Sequence, residues 1–447
     1  MDAHSILYSF KAYSFLEVML YKELTEKQIR IINRDLKLIF SIKGVLLPKN
    51  IENIIKLGVF SPRVKLKERE LYLSKEGITA LERICEIISN LNKYKGLLNY
   101  NDIYQSVLLE LGKWFEIILI PDVYDFFVSL DTALSKNIQT SNLICRIDGI
   151  SLDGLNKINI GGKTIKIYDK SDLNGASDVH KNIKSHINRE YHESLIIMGS
   201  EHGSNSVAME KFYFNAELSL SIIRLYSCAL YKQSIHKVNI RLINNCTHSY
   251  GSASCIRQDE YSHDITFTSY GKSTQDFKID NELLTNLNKE MFFETISSLV
   301  SKDYRNDLEN AIIKSLYWIG ESQKDQSNPS AFVKLWSALE CFFTLEKGDI
   351  TERNARGIAS IIMYGDFHHI DFKDYSQLKN KIKKHYKSRS KIVHHAEFSQ
   401  IDNIQLEEMA FIACWVTIAM AALLTRGYTK LSDIEREAQR LDAMHHN

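Results

Sequence analysis

The stretch YSQLKNKIKKHYKSRSKIVHH (Tyr375–His395) decides the fold of the C-terminal third of the chain, because its apolar residues recur with the period of an α-helix. At about 100° per residue, one arc of this helix is apolar, and Arg389 falls near the middle of it. A guanidinium on a buried face needs an anion or a polar pocket, because burying it unpaired is costly. The apolar arc consists of Leu378, Ile382, Tyr386, Ile392 and Val393.

The histidine that ends the motif RSKIVH borders this arc. His394 lies about 140° from Arg389 around the helix, with Ser390 one turn before it. His395 instead continues a stripe with i+4 spacing that predicts a basic, solvent-exposed face, so His394 is the better candidate for chemistry. The stripe consists of Lys383, Lys387 and Lys391.

Arginine and histidine are the residue types that metal-independent RNA cleavage requires. Attack by the 2′-hydroxyl needs a base that titrates near neutral pH and a cation that stabilises charge on the phosphorane. The same spacing also occurs by chance in helices. In that alternative interpretation, Arg389 is an interhelical ion-pair partner and His394 is a surface residue. The lysines have two interpretations as well: a solvated helix face, or a local surface that follows RNA phosphates.

Four segments extend the pattern beyond the motif, and with them the chain between about Lys302 and Gly427 resembles the HEPN superfamily, specifically its Apea-like domains. Ser390 takes the polar place that follows the arginine in that family. The segments are AIIKSLYWIGES (Ala311–Ser322), AFVKLWSALECFF (Ala331–Phe343), KGDITERNARGIASII (Lys347–Ile362) and YKSRSKIVHHAE (Tyr386–Glu397).

The resemblance implies an antiparallel helical bundle that forms a homodimer or higher oligomer, with Arg389 and His394 of two copies in one composite endoribonuclease site. It also implies an RNA substrate (tRNA, mRNA or rRNA), no metal and no cofactor. A role in antiviral defence or toxin-like shutdown of translation follows, with a phage-derived trigger or an inhibitory partner. Ser390, Tyr386 and Glu340 are the supporting residues, and Lys383, Lys387 and Lys391 the RNA-binding ones.

Glu340 is a candidate for the anion that Arg389 needs. It stands in a predicted helix beside Trp336, Leu339 and Phe343, which favours a buried carboxylate, although a surface glutamate fits the pattern equally well. Before this helix, the polar stretch Gly320–Ser330 predicts a loop.

Composition narrows the class of protein. With 447 residues the chain is long enough for two or three domains. Lys and Arg total 56 against 55 Asp and Glu, so any RNA-binding surface must be local. Seven cysteines without a CxxC pair argue against a zinc ribbon and against a disulfide framework, and no secretory signal opens the chain, so we expect a cytoplasmic protein.

One apolar stretch raises the question of a membrane span. Met409–Leu424 has sixteen residues without a charge, which is short of the roughly 20 that a span needs. We therefore predict the central buried helix of the bundle and no membrane contact.

The N-terminal region resembles winged helix-turn-helix domains in pattern alone. Leu24–Phe40 and Lys49–Phe60 predict helices, and Arg63–Ile88 predicts a charged hairpin followed by a helix that Ser74 caps. Lys65, Lys67 and Arg69 on the hairpin could contact phosphates, although similar hairpins occur in protein-binding adaptors.

The predicted fold is mainly α with a central α+β segment. Alternating residues over Asn142–Asp169, with Gly161-Gly162 at a hairpin turn, mark that segment. The predicted domains are a helical, winged-helix-like region (1–135), an α+β sensor or regulatory domain (136–295), the HEPN-like bundle (296–430) and a tail (431–447). Two alternatives to a gated ribonuclease remain: a non-catalytic RNA- or protein-binding dimer module, and a DNA-binding regulator that acts through the wing.

Overall fold

The computed structural model describes residues 19–46, 63–67, 70–173, 181–243, 253–258, 265–270, 275–343, 349–364, 374–397 and 401–445. The chain divides into two compact units. Unit 1 consists of Met1–Asn142 and Ser200–Phe212, and unit 2 consists of Leu143–Gly199 and Tyr213–Asn447. The predicted class, mainly α with an α+β segment, is confirmed.

Unit 1 is built from helices around a small antiparallel sheet. Thr25, Ser74, Asn99 and Asp122 each cap a helix by accepting a backbone N–H bond. The helices are α1 (Met19–Lys22), α2 (Glu26–Ile39), α3 (Lys75–Ser89), α4 (Tyr100–Glu116) and α5 (Val123–Lys136). The strands are β1 (Val45–Leu46), β2 (Arg63–Lys65) and β3 (Glu70–Leu73), in the order β1-β3-β2.

The predicted hairpin and its cap are present. β2 and β3 pair antiparallel, with Lys65 opposite Glu70, and Ser74 Oγ accepts the N–H of Gly77 at 3.1 Å. A third strand, β1, pairs with β3 and extends the hairpin into a three-stranded sheet, which the sequence did not predict. Lys65 and Lys67 are exposed, whereas Arg69 and the predicted helix Lys49–Phe60 lie outside the described residues.

A buried carboxylate joins α2 to α3 in unit 1. Asp35 is fully buried and accepts two bonds of 2.8 Å from the guanidinium of Arg83. This bidentate geometry is the strong form of the arginine–carboxylate pair, and it offsets the cost of burying the charge. The pair therefore positions α2 on the face of α3.

Unit 2 begins with the α+β segment. Its strands are β4 (Gln139–Asp148), β5 (Ile150–Leu152), β6 (Lys157–Ile160), β7 (Lys163–Ile167), β8 (Leu195–Gly203), β9 (Arg241–Leu242), β10 (Ala253–Gln258), β11 (Ile265–Tyr270) and β12 (Phe277–Ile279). Gly161 and Gly162 have φ of 58° and 73°, the conformation that a two-residue hairpin turn needs, and they join β6 to β7 as predicted. The strands of the five-stranded sheet follow the order β6-β7-β8-β4-β9, and β5 pairs with β12.

The helices between and after these strands lead into the bundle. The first group is α6 (Lys181–Glu190), α7 (Asn205–Leu230), α8 (Ser234–Lys237), α9 (Asn281–Met291) and α10 (Phe293–Val300). The bundle itself consists of α11 (Asp307–Lys324), α12 (Asn328–Phe343), α13 (Ile350–Tyr364), α14 (Tyr375–His395), α15 (Asn403–Thr425) and α16 (Leu431–His445).

The centre of the bundle is α15, which packs on α11, α12 and α13. It is long and apolar enough to cross a membrane, yet 78% of its most apolar window is buried inside the protein. Buried residues face almost every direction around it, as we predicted. The hydroxyl of Thr417 forms a buried hydrogen bond of 2.8 Å with the hydroxyl of Ser315.

The predicted loop Gly320–Ser330 is wrong in its first part. α11 continues through Lys324, and Ser322 and Gln323 are buried. Their polar groups have partners inside the unit: the Ser322 hydroxyl donates to the Ile319 carbonyl at 2.7 Å, and the Gln323 amide contacts the Cys228 sulfur at 3.1 Å. Polar composition indicated a loop, but satisfied polar side chains are also compatible with a buried helix.

Candidate active site on helix α14

Helix α14 has the bounds that the sequence predicted, Tyr375–His395. Asp374 caps its first turn by accepting the N–H of Gln377 at 3.1 Å, and Ala396 ends it in the left-handed conformation. Its buried face carries Leu378, Ile382 and Ile392, as expected. The same face holds His385 as well, which the sequence analysis did not single out.

The prediction for Val393 is wrong: its side chain is 47% exposed. The apolar face follows the spacing 375, 378, 382, 385 and 392, and Val393 lies one residue, about 100°, past the end of that stripe. The buried arc of α14 is therefore narrower than the sequence pattern indicated, and the C-terminal turn of the helix faces solvent.

Arg389 and Glu340 form an ion pair between α14 and α12. The distance from Arg389 Nη2 to Glu340 Oε2 is 3.2 Å, and the two side chains are 20% and 21% exposed. The other carboxylate oxygen accepts the indole N–H of Trp336 at 3.1 Å. Glu340 is thus the anion beside Arg389. Its position in the sequence left open whether it was this partner or a surface glutamate.

The guanidinium keeps donors that this pair does not use. Arg389 Nε is buried and has no acceptor within the described residues. A guanidinium carries five N–H donors, and one of them goes to Glu340. Because Nε is buried, the donors that could bind a second anion, such as a phosphate oxygen, beside the ion pair are the Nη donors that Glu340 does not use.

Tyr386, which we predicted as a supporting residue, packs on the tryptophan that bonds to Glu340. Tyr386 is half-buried on α14, and its ring packs on the Trp336 ring with centroids 5.5 Å apart. Trp336 is itself fully buried. Trp336 thus fixes the Glu340 carboxylate, and the ion pair with Glu340 restricts the orientation of Arg389, which reduces the entropy lost when it binds an anion.

His394 is exposed on the last turn of α14, and so is His395. Ser390, one turn before His394, is half-buried. Five residues of helix separate Arg389 from His394 by about 7.5 Å along the axis and about 140° around it. One copy of α14 therefore presents the two groups in different directions.

The three lysines predicted to bind RNA differ in their surroundings. Lys387 is exposed, Lys391 is exposed and lies 3.8 Å from Glu397, and Lys383 forms an ion pair with Glu352. Hydrogen bonds from Lys379 and Lys383 hold the pKa of the Glu352 carboxyl below its ordinary value. The basic surface is thus partly neutralised at Lys383 and, through the longer contact with Glu397, at Lys391.

A small cavity adjoins Glu340, and the sequence analysis did not predict it. It encloses about 380 Å³ and is lined by Glu340, Lys314, Asn310, Ser337 and Cys341 among others. Burial raises the pKa of Cys341 to about 11, so its thiol is neutral at pH 7 and not a nucleophile. Lys314 is exposed and adds a second cation near the Arg389–Glu340 pair.

His385 forms the buried polar contact of α14. It is 5% exposed, and its Nε2 lies 3.2 Å from Glu408 Oε2 on α15, while its ring packs against Phe332. Burial alone would raise the pKa of Glu408, but the hydrogen bonds from His385 and Lys381 outweigh it and leave that pKa below its ordinary value. The contact joins α14 to α15.

The low pKa of Glu408 predicts an acid-sensitive fold. Its charged form is favoured in the folded state, so its contribution is present above its ordinary pKa of 4.5 and disappears as the pH falls through the folded value. We expect the melting temperature of Glu408→Gln to fall less than that of the wild type between about pH 5 and pH 3. The exposed Glu282→Gln is the control, and equal pH profiles for Glu408→Gln and wild type would contradict the prediction.

Within the described residues no group of three or more His, Cys, Asp and Glu side chains is arranged to hold a metal ion. Comparisons with protein-family models, with curated proteins and with solved structures find no match for this chain.

Proposed function

We propose that the protein is a metal-independent endoribonuclease whose site consists of Arg389 and His394. The observation that supports it best is the partly exposed side chain of Arg389, paired with Glu340 through one of its five N–H donors and placed five residues before an exposed histidine. The resemblance of the surrounding sequence to HEPN domains supports the same activity.

The chemistry assigns one role to each residue. A neutral His394 accepts the proton of the RNA 2′-hydroxyl, whose oxygen attacks the adjacent phosphorus. The N–H donors of Arg389 stabilise the negative charge that grows on the phosphoryl oxygens. The P–O5′ bond breaks, the leaving oxygen takes up a proton, and the products are a 2′,3′-cyclic phosphate and a 5′-hydroxyl end.

We infer that two copies of the chain build each site. Because Arg389 and His394 point about 140° apart on one helix, a single copy is poorly arranged to place both on one phosphate. Two copies of α14 related by a two-fold axis can place Arg389 of one copy opposite His394 of the other. The functional unit is then a homodimer or a higher oligomer.

The proposed biological role is antiviral defence or toxin-like shutdown of translation in the cytoplasm, with tRNA, mRNA or rRNA as the substrate. An unregulated ribonuclease would damage its own cell, so the rest of the chain would restrain the site until a trigger, such as a phage component, or loss of an inhibitory partner releases it. This role depends on the family resemblance and on the proposed activity.

Mixing two inactive variants tests the two-copy site. Arg389→Ala and His394→Ala are each expected to be inactive, and subunit exchange between them should restore about a quarter of the wild-type cleavage rate. With equal amounts of the two variants, half of the dimers contain one chain of each variant. One of the two sites in such a mixed dimer is intact. The restored rate is measured from RNA cleavage on a denaturing gel, and mass spectrometry shows whether mixed dimers form.

Mixed dimers without activity would rule out the composite site, because a site that takes both residues from one chain cannot be rebuilt from these variants. A mixture of His394→Ala with the double variant Arg389→Ala/His394→Ala is the matched control. Every His394 is absent from it, so it must remain inactive in either arrangement.

Cleavage is expected to continue in EDTA and to leave 2′,3′-cyclic phosphate and 5′-hydroxyl ends, because the proposed nucleophile is the RNA's own hydroxyl. Polynucleotide kinase without phosphatase activity labels a 5′-hydroxyl directly, which identifies the product. Ends that carry a 5′-phosphate would contradict the mechanism, since they indicate attack by water.

The Arg389–Glu340 ion pair also favours a second candidate function, a non-catalytic module that binds RNA or protein. A purely structural arginine would form the same pair between α12 and α14. Gel retardation of RNA that remains intact, unaffected by His394→Ala, distinguishes this module from the ribonuclease.

A further inference from the structure

Unit 1 contains a groove that the proposed ribonuclease site does not use. It encloses about 720 Å³ between α4, α5 and the β2–β3 hairpin. We call it the lysine-rimmed groove, and the residues that characterise it are Lys65, Lys67, Leu109, Lys113, Glu116 and Lys136.

The rim of the lysine-rimmed groove carries a positive charge that unit 1 leaves largely uncompensated. Lys65, Lys67 and Lys136 are exposed, and none of their ammonium groups forms an ion pair in the described part of the chain, while Glu116 accepts the backbone N–H of Lys67. Lys113 differs, because it lies 2.7 Å from the buried carboxylate of Glu110. Three ammonium groups therefore remain available to an acidic ligand.

Exposed apolar residues lie in the lining of the groove and in the segment of chain that follows it. Leu109 lines the groove with its side chain 64% exposed. Glu116 also lines it, and the chain continues from there into Ile117–Ile120, whose four side chains are 52%, 87%, 51% and 51% exposed. Ile118 has φ of 55°, a conformation that is rare and strained for a β-branched residue. Consecutive exposed apolar residues mark a surface that a partner covers.

We propose that the lysine-rimmed groove, together with Ile117–Ile120, binds an acidic amphipathic peptide segment of another protein. Its carboxylates would meet Lys65, Lys67 and Lys136, and its apolar side chains would cover Leu109 and the isoleucine-rich loop. This inference does not depend on the ribonuclease activity.

The shape and the lining favour a peptide over the other anionic partners. A nucleic-acid backbone would use the lysines but leave Leu109 and Ile117–Ile120 in water. A lipid surface contacts protruding elements, whereas the lysines line a concave groove. An extended or helical peptide fits both the concavity and the mixed character of the lining.

Selection of random dodecapeptides displayed on phage, with the full-length protein as target, tests the proposal. We expect enriched peptides that combine Asp or Glu with Leu, Ile or Phe. Fluorescence anisotropy of a labelled selected peptide should then show about tenfold weaker binding to a charge-reversed variant, Lys65→Glu/Lys67→Glu/Lys136→Glu, and weaker binding at high salt.

A second variant, Leu109→Ser/Ile118→Ser, should also weaken binding about tenfold, because it removes the apolar contacts without altering charge. The matched control, Lys27→Glu/Lys37→Glu/Lys75→Glu, reverses three exposed lysines of unit 1 outside the groove and should bind like the wild type. All the replaced side chains are exposed, so folding is checked simply by the melting temperature.

The proposal is overturned if no acidic, apolar peptides are enriched, or if selected peptides bind the charge-reversed variant as tightly as the wild type. It is also overturned if the three groove lysines prove necessary only for binding a DNA duplex, an RNA duplex or phosphatidylserine vesicles. The first two of these results would identify a nucleic-acid surface, and the third a membrane surface.

Discussion

Replacing Arg389 by alanine is expected to slow RNA cleavage by about 100- to 1000-fold, because one preorganised donor to the developing phosphoryl charge is lost. His394→Ala should slow it by about 100- to 10000-fold, since the proton of the 2′-hydroxyl then has no positioned acceptor. Initial rates with end-labelled RNA measure both effects, and sequencing of 5′ ends from cells that express each variant locates the cut.

His395→Ala is the matched control for this experiment, because it is the same residue type at the neighbouring exposed position and should retain most of the activity. Arg389→Ala leaves Glu340 without its ion-pair partner, so the melting temperature and the oligomeric state of each variant must be compared with the wild type. If His395 is essential and His394 is not, the choice between the two histidines is wrong. If neither matters, the catalytic hypothesis fails.

The second large effect is on stability. Trp336→Ala is expected to lower the free energy of unfolding of unit 2 by about 3–5 kcal/mol, the usual cost of removing a large aromatic side chain from a core. Trp336 is fully buried, packs on Tyr386 and donates its indole N–H to Glu340. Urea denaturation followed by circular dichroism measures the loss.

Trp336→Phe separates packing from hydrogen bonding, because it keeps most of the apolar volume but cannot donate to Glu340. We expect it to cost about 1–3 kcal/mol, mostly through the carboxylate oxygen left without its donor. A Trp336→Ala protein as stable as the wild type would contradict the packing around Trp336 that the structure shows.

Local signals were sufficient to predict several elements of this fold. The residue pattern predicted α14 with both of its ends, because its apolar residues recur with the period of a helix. Gly161-Gly162 predicted its hairpin, since two successive positive φ angles are easy only for glycine. The uncharged stretch Met409–Leu424 predicted the buried helix α15, because a helix that is apolar on all sides is usually buried.

Contacts between distant segments determine the rest. Glu340 pairs with Arg389, 49 residues away along the chain, because α12 packs against α14. Glu408 pairs with His385, 23 residues away, because α15 packs against α14. Val393 is exposed because, among the described residues, no other element covers that side of α14. Periodicity describes the faces of a helix, but which face is covered, and which charge a carboxylate neutralises, depends on neighbours that local sequence does not specify.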